Sequence, residues 1–454
     1  MYQHIFNNIL NPLYESAIKR RNMLKYHKFL GKSQWWSLKE LQRFQYGELS
    51  RLLQNAYENV PYWRRLFDKL SLKPIDIKNE KDLHKLPIID KNDIRNNYDE
   101  MIATNYKNKT WKKSTGGSTG APLHFEYTPE SYDWRVATSK RGYLWAGCEA
   151  GIKQAYIWGA NINKVSALQR IKENLHHAIL RQKYFNCFKF NEEEMKRTLL
   201  ALNRYKPAII VGYTNPLYEF AKFASGCDDL KFKPKAIISA AEKLHDFQRK
   251  EISKVFGCEV FNTYGSREFM LIASECDKHD GLHVNMENLV VEVIKEDGSP
   301  AKPDEIGEIV ITDLHNYGMP FIRYKIGDMA IPSDKQCQCG RGLPLLKDVT
   351  GRSLDIIKTS DGKNIPGEFF PHLMKEFQGV KQFQVVQDKI DHLLIRIVKK
   401  DELLDSKLSF MKNEIKKVTG TTVKVDISFV EDIPLTSTGK YRVTISELNN
   451  NTGA

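Results

Sequence analysis

With 454 residues, 41% hydrophobic and 28% charged, the chain has the composition of a soluble globular protein and enough length for two or three domains. Its net charge of +13 comes from lysines and arginines spread along the whole chain, without a basic block interleaved with aromatics, so no nucleic-acid partner is expected, while peripheral contact with an anionic membrane surface stays open. No apolar run approaches the ~20 residues of a membrane span, and the start, MYQHIFNNILNPLYESAIKRRN, carries its charges after its apolar residues with no small-residue cleavage site; the expected location is cytoplasmic. Seven cysteines, an odd number and mostly scattered, do not suggest a secreted disulfide framework.

The first ~100 residues read as helical. Ser37 and Glu40 form a capping-box pattern, and Leu41, Phe44, Leu49, Leu52, Leu53 and Ala56 behind it fall on one helical face, with Pro61 near the end. The aromatics Trp35, Trp36, Tyr62 and Trp63 are expected to pack. From about residue 110 the pattern turns to α/β. QAYIWG (154–159), PAIIVGY (207–213) and KAIISAA (235–241) are short apolar runs, and EEEMKRTLLALNRY (192–205) is an amphipathic stretch between them, which predicts parallel βαβ units. Residues 289–297 and 306–314 read as half-buried strands with a turn through Asp297-Gly298. After Gly351 the strand-like runs 392–399 and 423–430, with a helical stretch between, predict a separate small α+β domain.

Four motifs carry chemistry. Ser114-Thr115-Gly116-Gly117-Ser118-Thr119-Gly120 cannot build a core; its glycines let backbone approach an anion and its hydroxyls donate, which suits a polyphosphate as well as it suits a surface loop. It is not a Walker A loop. Tyr264-Gly265-Ser266-Arg267-Glu268 follows a strand-like segment, where α/β folds place ligands; the ring can stack on a base and the carboxylate can hold Mg²⁺. Tyr324-Lys325-Ile326-Gly327-Asp328 with Gly351-Arg352 is the third, and Leu435-Thr436-Ser437-Thr438-Gly439-Lys440 the fourth.

In this order the four motifs resemble those of the acyl-adenylate-forming superfamily, from about residue 110 to about 445. Within it, LLQNAYENVPYWRRLF, VGYTNPLYEFA, TDLHNYGMPFIRYKIGD and CQCGR resemble the phenylacetate–CoA ligase and CapK-type capsule-biosynthesis branch. The resemblance implies an α/β fold with a large N-terminal adenylation domain of parallel βαβ sheets (1–351, helical to about 100) and a small mobile α+β C-terminal domain (352–454). It implies an AMP-forming ligase that uses ATP and Mg²⁺ to activate a carboxylic acid, with an amine, sugar or CoA as acceptor. The first expectation is transfer in capsular or surface polysaccharide synthesis. The alternatives are an aryl- or acyl-CoA ligase and a non-catalytic adenylate-fold binding protein. Carried over position by position, the resemblance closes the loop Ser114–Gly120, Thr119 included, over the phosphates. It sets Ala241-Glu242 and Tyr264-Gly265-Ser266 around adenine and gives Mg²⁺ to Glu268. Asp328 takes the ribose hydroxyls, Arg352 the ribose–phosphate region, and Lys440 the carboxylate and α-phosphate. One departure stands out: where the family's hinge usually carries Asp or Lys, this chain has Leu354, followed by Asp355.

Cys337-x-Cys339 followed by Gly340-Arg341 resembles half of a zinc knuckle, and Cys276 with His283 would complete the four N/S ligands of a structural Zn²⁺ site. His279 competes for the histidine place. The alternative is a set of reduced thiols with His283 in the acyl pocket. Cys148, Cys187, Cys227 and Cys258 read as small buried hydrophobes.

Overall fold

The computed structural model describes residues 2–115, 123–159, 167–187, 190–227, 230–352, 356–360, 364–366, 369–374, 377, 379–399, 405–434 and 442–448. The chain divides into two compact units, one of residues 1–326 and 331–348, the other of 327–330 and 349–454.

The first unit begins with helices α1 (Tyr2–Ile5), α2 (Met23–Ser33), α3 (Leu38–Asn59), α4 (Pro61–Lys69) and α5 (Lys91–Asn96). The capping box forms: Ser37 Oγ accepts from the Glu40 amide and the Glu40 carboxylate accepts from the Ser37 amide, satisfying donors that a helix start leaves unpaired. Leu41, Leu49, Leu52, Leu53 and Ala56 are fully buried, as the helical spacing predicts. Trp63 is buried and donates to the Pro320 carbonyl, but Trp35 is 52% exposed, so packing accounts for only part of that aromatic group.

Strands β1 (Trp111–Ser114) and β2 (His124–Tyr127) form an antiparallel pair. Helix α6 (Pro129–Trp145) follows, and then β3 (Gln154–Trp158), α7 (Ala167–Leu180), β4 (Gln182–Asn186), α8 (Glu192–Tyr205), β5 (Ile209–Tyr213), α9 (Thr214–Ser225), β6 (Ala236–Ala240), α10 (Asp246–Phe256) and β7 (Glu259–Ser266). Strands β3 to β7 pair in parallel, in the order β7-β6-β5-β3-β4, which is the predicted βαβ pattern. The central strands β5 and β6, buried on both faces, are near-continuously apolar rather than alternating, whereas edge strand β4 is polar and partly exposed. Ile210 and Ile237 pack with Leu217, Phe220 and Phe256 of α9 and α10, while Val211 and Ile238 pack on the other face with Phe261 and Tyr143 of α6.

Beyond β7 the sheet continues through β8 (Met270–Ser274) and β9 (Leu282–Val284), antiparallel, and then through β13 (Leu345–Arg352), β12 (Tyr324–Ser333), β11 (Gly307–Asp313) and β10 (Leu289–Ile294). Strands β10 and β11 pair as predicted but are largely buried on both faces rather than half-buried, because Val290 and Val310 are covered as well as Leu289 and Ile311. Asp297-Gly298 does turn the chain, with Asp297 Oδ1 accepting from the Ser299 amide and Gly298 at φ +82°. The second unit holds the hairpin β14 (Ile356–Lys358) and β15 (Asn364–Pro366), helix α11 (Phe369–Met374), and a sheet ordered β18 (Lys424–Phe429), β17 (His392–Lys399), β16 (Val380–Lys389), β19 (Thr444–Ser446). Helix α12 (Asp405–Thr419) packs on it through Met411 and Ile415. Buried Gln387 ties β14 to β16 by accepting from the Lys358 amide and donating to its carbonyl.

Candidate active site and metal centre

The hydroxyl- and glycine-rich loop is closed at its base. The Thr115 amide donates to the Leu123 carbonyl and the Leu123 amide donates back to Thr115 Oγ1, both at 2.9 Å. Gly116, Gly117, Ser118, Thr119 and Gly120 lie outside the described residues, between these two anchors. Beside the base stands the turn after β7. Arg267 donates through Nε to the Ser114 carbonyl at 3.3 Å. Gly265 is required there by close approach, since a Cβ on it would lie 2.2 Å from the Met270 carbonyl oxygen. Ser266 Oγ accepts from the Phe269 amide, and Tyr264 is buried on β7.

Glu268 is 5% exposed. Its Oε1 accepts from the Tyr324 hydroxyl at 3.3 Å, and its carbonyl accepts from Arg135, whose other arm meets Asp313. A buried carboxylate with this loose a neutral donor is a hard-oxygen ligand that fits Mg²⁺. Ala241, just past β6, holds φ +68°, a conformation seldom adopted outside glycine, and the Glu242 carboxylate accepts from the Asn215 amide in the first turn of α9. Asp328 is half-buried on β12 and belongs to the second unit, as does Arg352 at the end of β13. Lys440, Leu354 and Asp355 lie outside the described residues.

Sequence reasoning passed over Lys113. It sits on β1 at the threshold of the loop, over the Tyr127 ring. Burial, reinforced by the positive charges of Arg267 and Arg135, pushes its ammonium down to about 8. Lys113 and Arg267 stand together at the loop's base, with Arg135 behind them paired to Asp313, an arrangement that suits a polyanion. The Ser114 run drew attention to hydroxyls; the neighbouring cation at 113 and the arginine inside the Tyr264–Glu268 motif were the signal available.

The cysteine pattern comes together. The ligand atoms of Cys276, His283, Cys337 and Cys339 all lie within 4.8 Å of one another. Cys276 and Cys337 sulfurs are 3.6 Å apart, and Cys339 Sγ is 3.4 Å from His283 Nε2. Tetrahedral zinc with Zn–S near ~2.3 Å separates two sulfurs by about 3.8 Å, a spacing that the Cys276–Cys337 pair already approaches, so the chemistry and clustering of three thiols and one imidazole fit Zn²⁺. His283 Nδ1 faces the Leu343 carbonyl at 3.4 Å, which orients Nε2 toward the sulfurs. The competitor, His279, is held instead by Glu275, with Arg249 alongside. The register β9–β13, Leu345 opposite His283, delivers the pair of segments. The CxCGR loop also locks onto the α2–α3 turn: Arg341 donates to Gln34 Oε1 and stacks over Trp35 and Trp145, and a Cβ at Gly342 would lie 1.9 Å from the Trp36 carbonyl oxygen. Of the remaining cysteines, Cys148 and Cys187 are buried as expected, but Cys227 and Cys258 are only half-buried.

Residues 357–447 match the CapK C-terminal domain family. Protein CapK of Staphylococcus aureus is 27% identical over 461 residues, 99% of either chain. The phenylacetate-coenzyme A ligase of Escherichia coli (strain K12) is 26% identical over 442 residues, covering 92% of this chain and 97% of its own. Among solved structures, 2-hydroxyisobutyryl-CoA ligase in the postadenylation state with R3-HIB-AMP superposes with a TM-score of 0.72 at 18% identity over 91% of each chain. In sequence the chain is similar to CapK and to the phenylacetate-coenzyme A ligases, and its fold is that of 2-hydroxyisobutyryl-CoA ligase.

Proposed function

We propose that this protein is an ATP-dependent ligase that activates a carboxylic acid as an acyl-AMP, releasing pyrophosphate, and then passes the acyl group to an amine or sugar acceptor in capsular or surface polysaccharide synthesis. One observation carries the reading: the hydroxyl-rich loop is anchored beside Arg267 and buried Glu268 at the end of the parallel strands, in a chain that matches CapK over 99% of its length. In the first half-reaction a carboxylate oxygen bonds to the α-phosphorus while the bond from that phosphorus to the β-bridging oxygen breaks. Two anions must meet, so the chain needs cations and aligned donors more than a base. The loop Ser114–Gly120 offers amides and hydroxyls to the phosphates, Thr119 among them, and Lys113 and Arg267 offset the leaving pyrophosphate's charge. Glu268 would hold Mg²⁺, which supplies Lewis-acid neutralisation when bound. Tyr264-Gly265-Ser266 and Ala241-Glu242 border the adenine, Asp328 accepts from the ribose hydroxyls, and Arg352 and Lys440 address the phosphate and the carboxylate. In the second half-reaction the acceptor's lone pair attacks the acyl carbonyl and AMP leaves. Cys276, His283, Cys337 and Cys339 would hold a Zn²⁺ of structural role, since four protein ligands leave no open position.

The phenylacetate-coenzyme A ligase relatives favour a second reading, with CoA as acceptor. A pyrophosphate-exchange screen across carboxylic acids tests adenylation, and acceptor trials with CoA, amines and amino sugars then decide between the readings. Thioester formation alone would displace the first; no acid-dependent exchange with any acid class would leave a non-catalytic binding protein.

A further inference from the structure

Two neighbouring segments leave apolar stripes in solvent. Ile5, Ile9 and Leu13, spaced four apart, are 37, 59 and 53% exposed, and Ile18 is 64% exposed, whereas Phe6 on another face is buried. On α7 the same spacing recurs: Ile171, Leu175 and Ile179 are 64, 62 and 38% exposed. The segments adjoin, because the Tyr2 hydroxyl donates to the Ile179 carbonyl and the Tyr14 and His176 rings lie 5.4 Å apart. Between them is a cavity of about 180 Å³ lined by Phe6, Leu10, Tyr14, Leu175, Ile179 and Leu180, among others. Exposed apolar side chains gathered on two adjoining segments mark an interaction site on a folded chain.

Charge identifies the occupant. Residues 2–22 hold Lys19, Arg20 and Arg21 against a single carboxylate, Glu15, which is buried and faces Arg21 and Lys140. Residues 171–184 hold Lys172, Arg181 and Lys183 against Glu173 alone. A second copy of this face would bring cations against cations. An anionic bilayer takes both features at once, with apolar side chains entering the headgroup boundary and lysine and arginine meeting lipid phosphates. We propose that residues 2–22 and α7 together dock the protein peripherally on an anionic membrane surface. The inference stands apart from the choice of acid or acceptor.

Co-sedimentation of the full chain with vesicles tests it, comparing phosphatidylcholine alone with phosphatidylcholine mixed with phosphatidylglycerol. Binding to the mixed vesicles should exceed binding to the neutral ones by about tenfold or more and weaken with salt. Ile9→Asp with Leu13→Asp, and separately Lys19→Glu with Arg20→Glu, should each lower it by about tenfold, while acid-dependent pyrophosphate exchange in solution stays unchanged. Equal binding to both vesicle types would overturn the proposal. So would a dimer, seen by light scattering, that Ile9→Asp with Leu13→Asp dissolves, since the stripes would then be a self-interface.

Discussion

The sulfurs of Cys276 and Cys337 lie 3.6 Å apart although 61 positions separate them in the chain. Purified protein never exposed to chelator should carry close to one equivalent of zinc by elemental analysis. Cys337→Ser should lower that content, and a chelator should lower thermal stability before it abolishes pyrophosphate exchange, because the ion would pin the 337–342 loop to the chain after β8 rather than touch substrate. Less than about a tenth of an equivalent would return these residues to reduced thiols.

The rings of Trp134 and His315 stack at 3.9 Å, 4° from parallel, and His315 Nε2 meets the Glu287 carbonyl at 2.9 Å. Burial pushes this imidazole down to about 4, from an ordinary 6.5. Between those values the unfolded chain binds a proton that the folded chain refuses, so stability rises with pH across the window and is lost as pH falls from 6.5 toward 4. From this group alone the loss between pH 7 and 5 is about 2 kcal/mol. His315→Gln should be less stable at pH 7 yet show a flatter acid slope in thermal melts. An unchanged slope would assign the acid sensitivity elsewhere, with His27, also held near 4 by burial, the next group to test.

Legibility followed the range of the interactions. Helix α8 occupies the residues its periodicity marked, and β3, β5 and β6 fall inside their apolar runs, because a buried parallel strand writes itself as a continuous apolar stretch. Strand β9 was not legible: it has three residues, and its register is set by β13, some sixty positions on. The choice of His283 over His279 depends on that register and on Glu275 and Arg249 capturing His279, which no spacing encodes. Trp35 looked like core and instead faces solvent under Arg341. Glu268 was found as a carboxylate in a motif, but its burial beneath Tyr324 and Arg135 comes from tertiary packing.

In the proposed reaction Lys440 would separate the two half-reactions, meeting the carboxylate and α-phosphate where charge develops in adenylation and taking no part in acyl transfer. Lys440→Ala should therefore cut acid-dependent pyrophosphate exchange by about 10²-fold or more, as loss of one transition-state donor does. Transfer from pre-made acyl-AMP should survive. Equal loss of both steps would remove this division of labour.

Lys113 should make nucleotide binding sensitive to alkali. Burial and its arginine neighbours hold the free ammonium near 8, and a triphosphate beside it would raise that value again. ATP affinity should then be level below pH 8 and fall above it, by up to about tenfold per unit, as the free enzyme loses the proton that the complex keeps. Titration calorimetry from pH 7 to 9.5 reads this directly. Lys113→Met should bind more weakly at pH 7 and lose the slope, whereas Lys113→Arg, which stays charged throughout, should lose the slope and keep its affinity. Arg267→Ala should weaken ATP by about ten- to hundred-fold, the worth of one charged hydrogen bond, and should move the Lys113 inflection to higher pH by removing a like charge. If wild type and Lys113→Met decline in parallel, the cation on β1 does not face the phosphates.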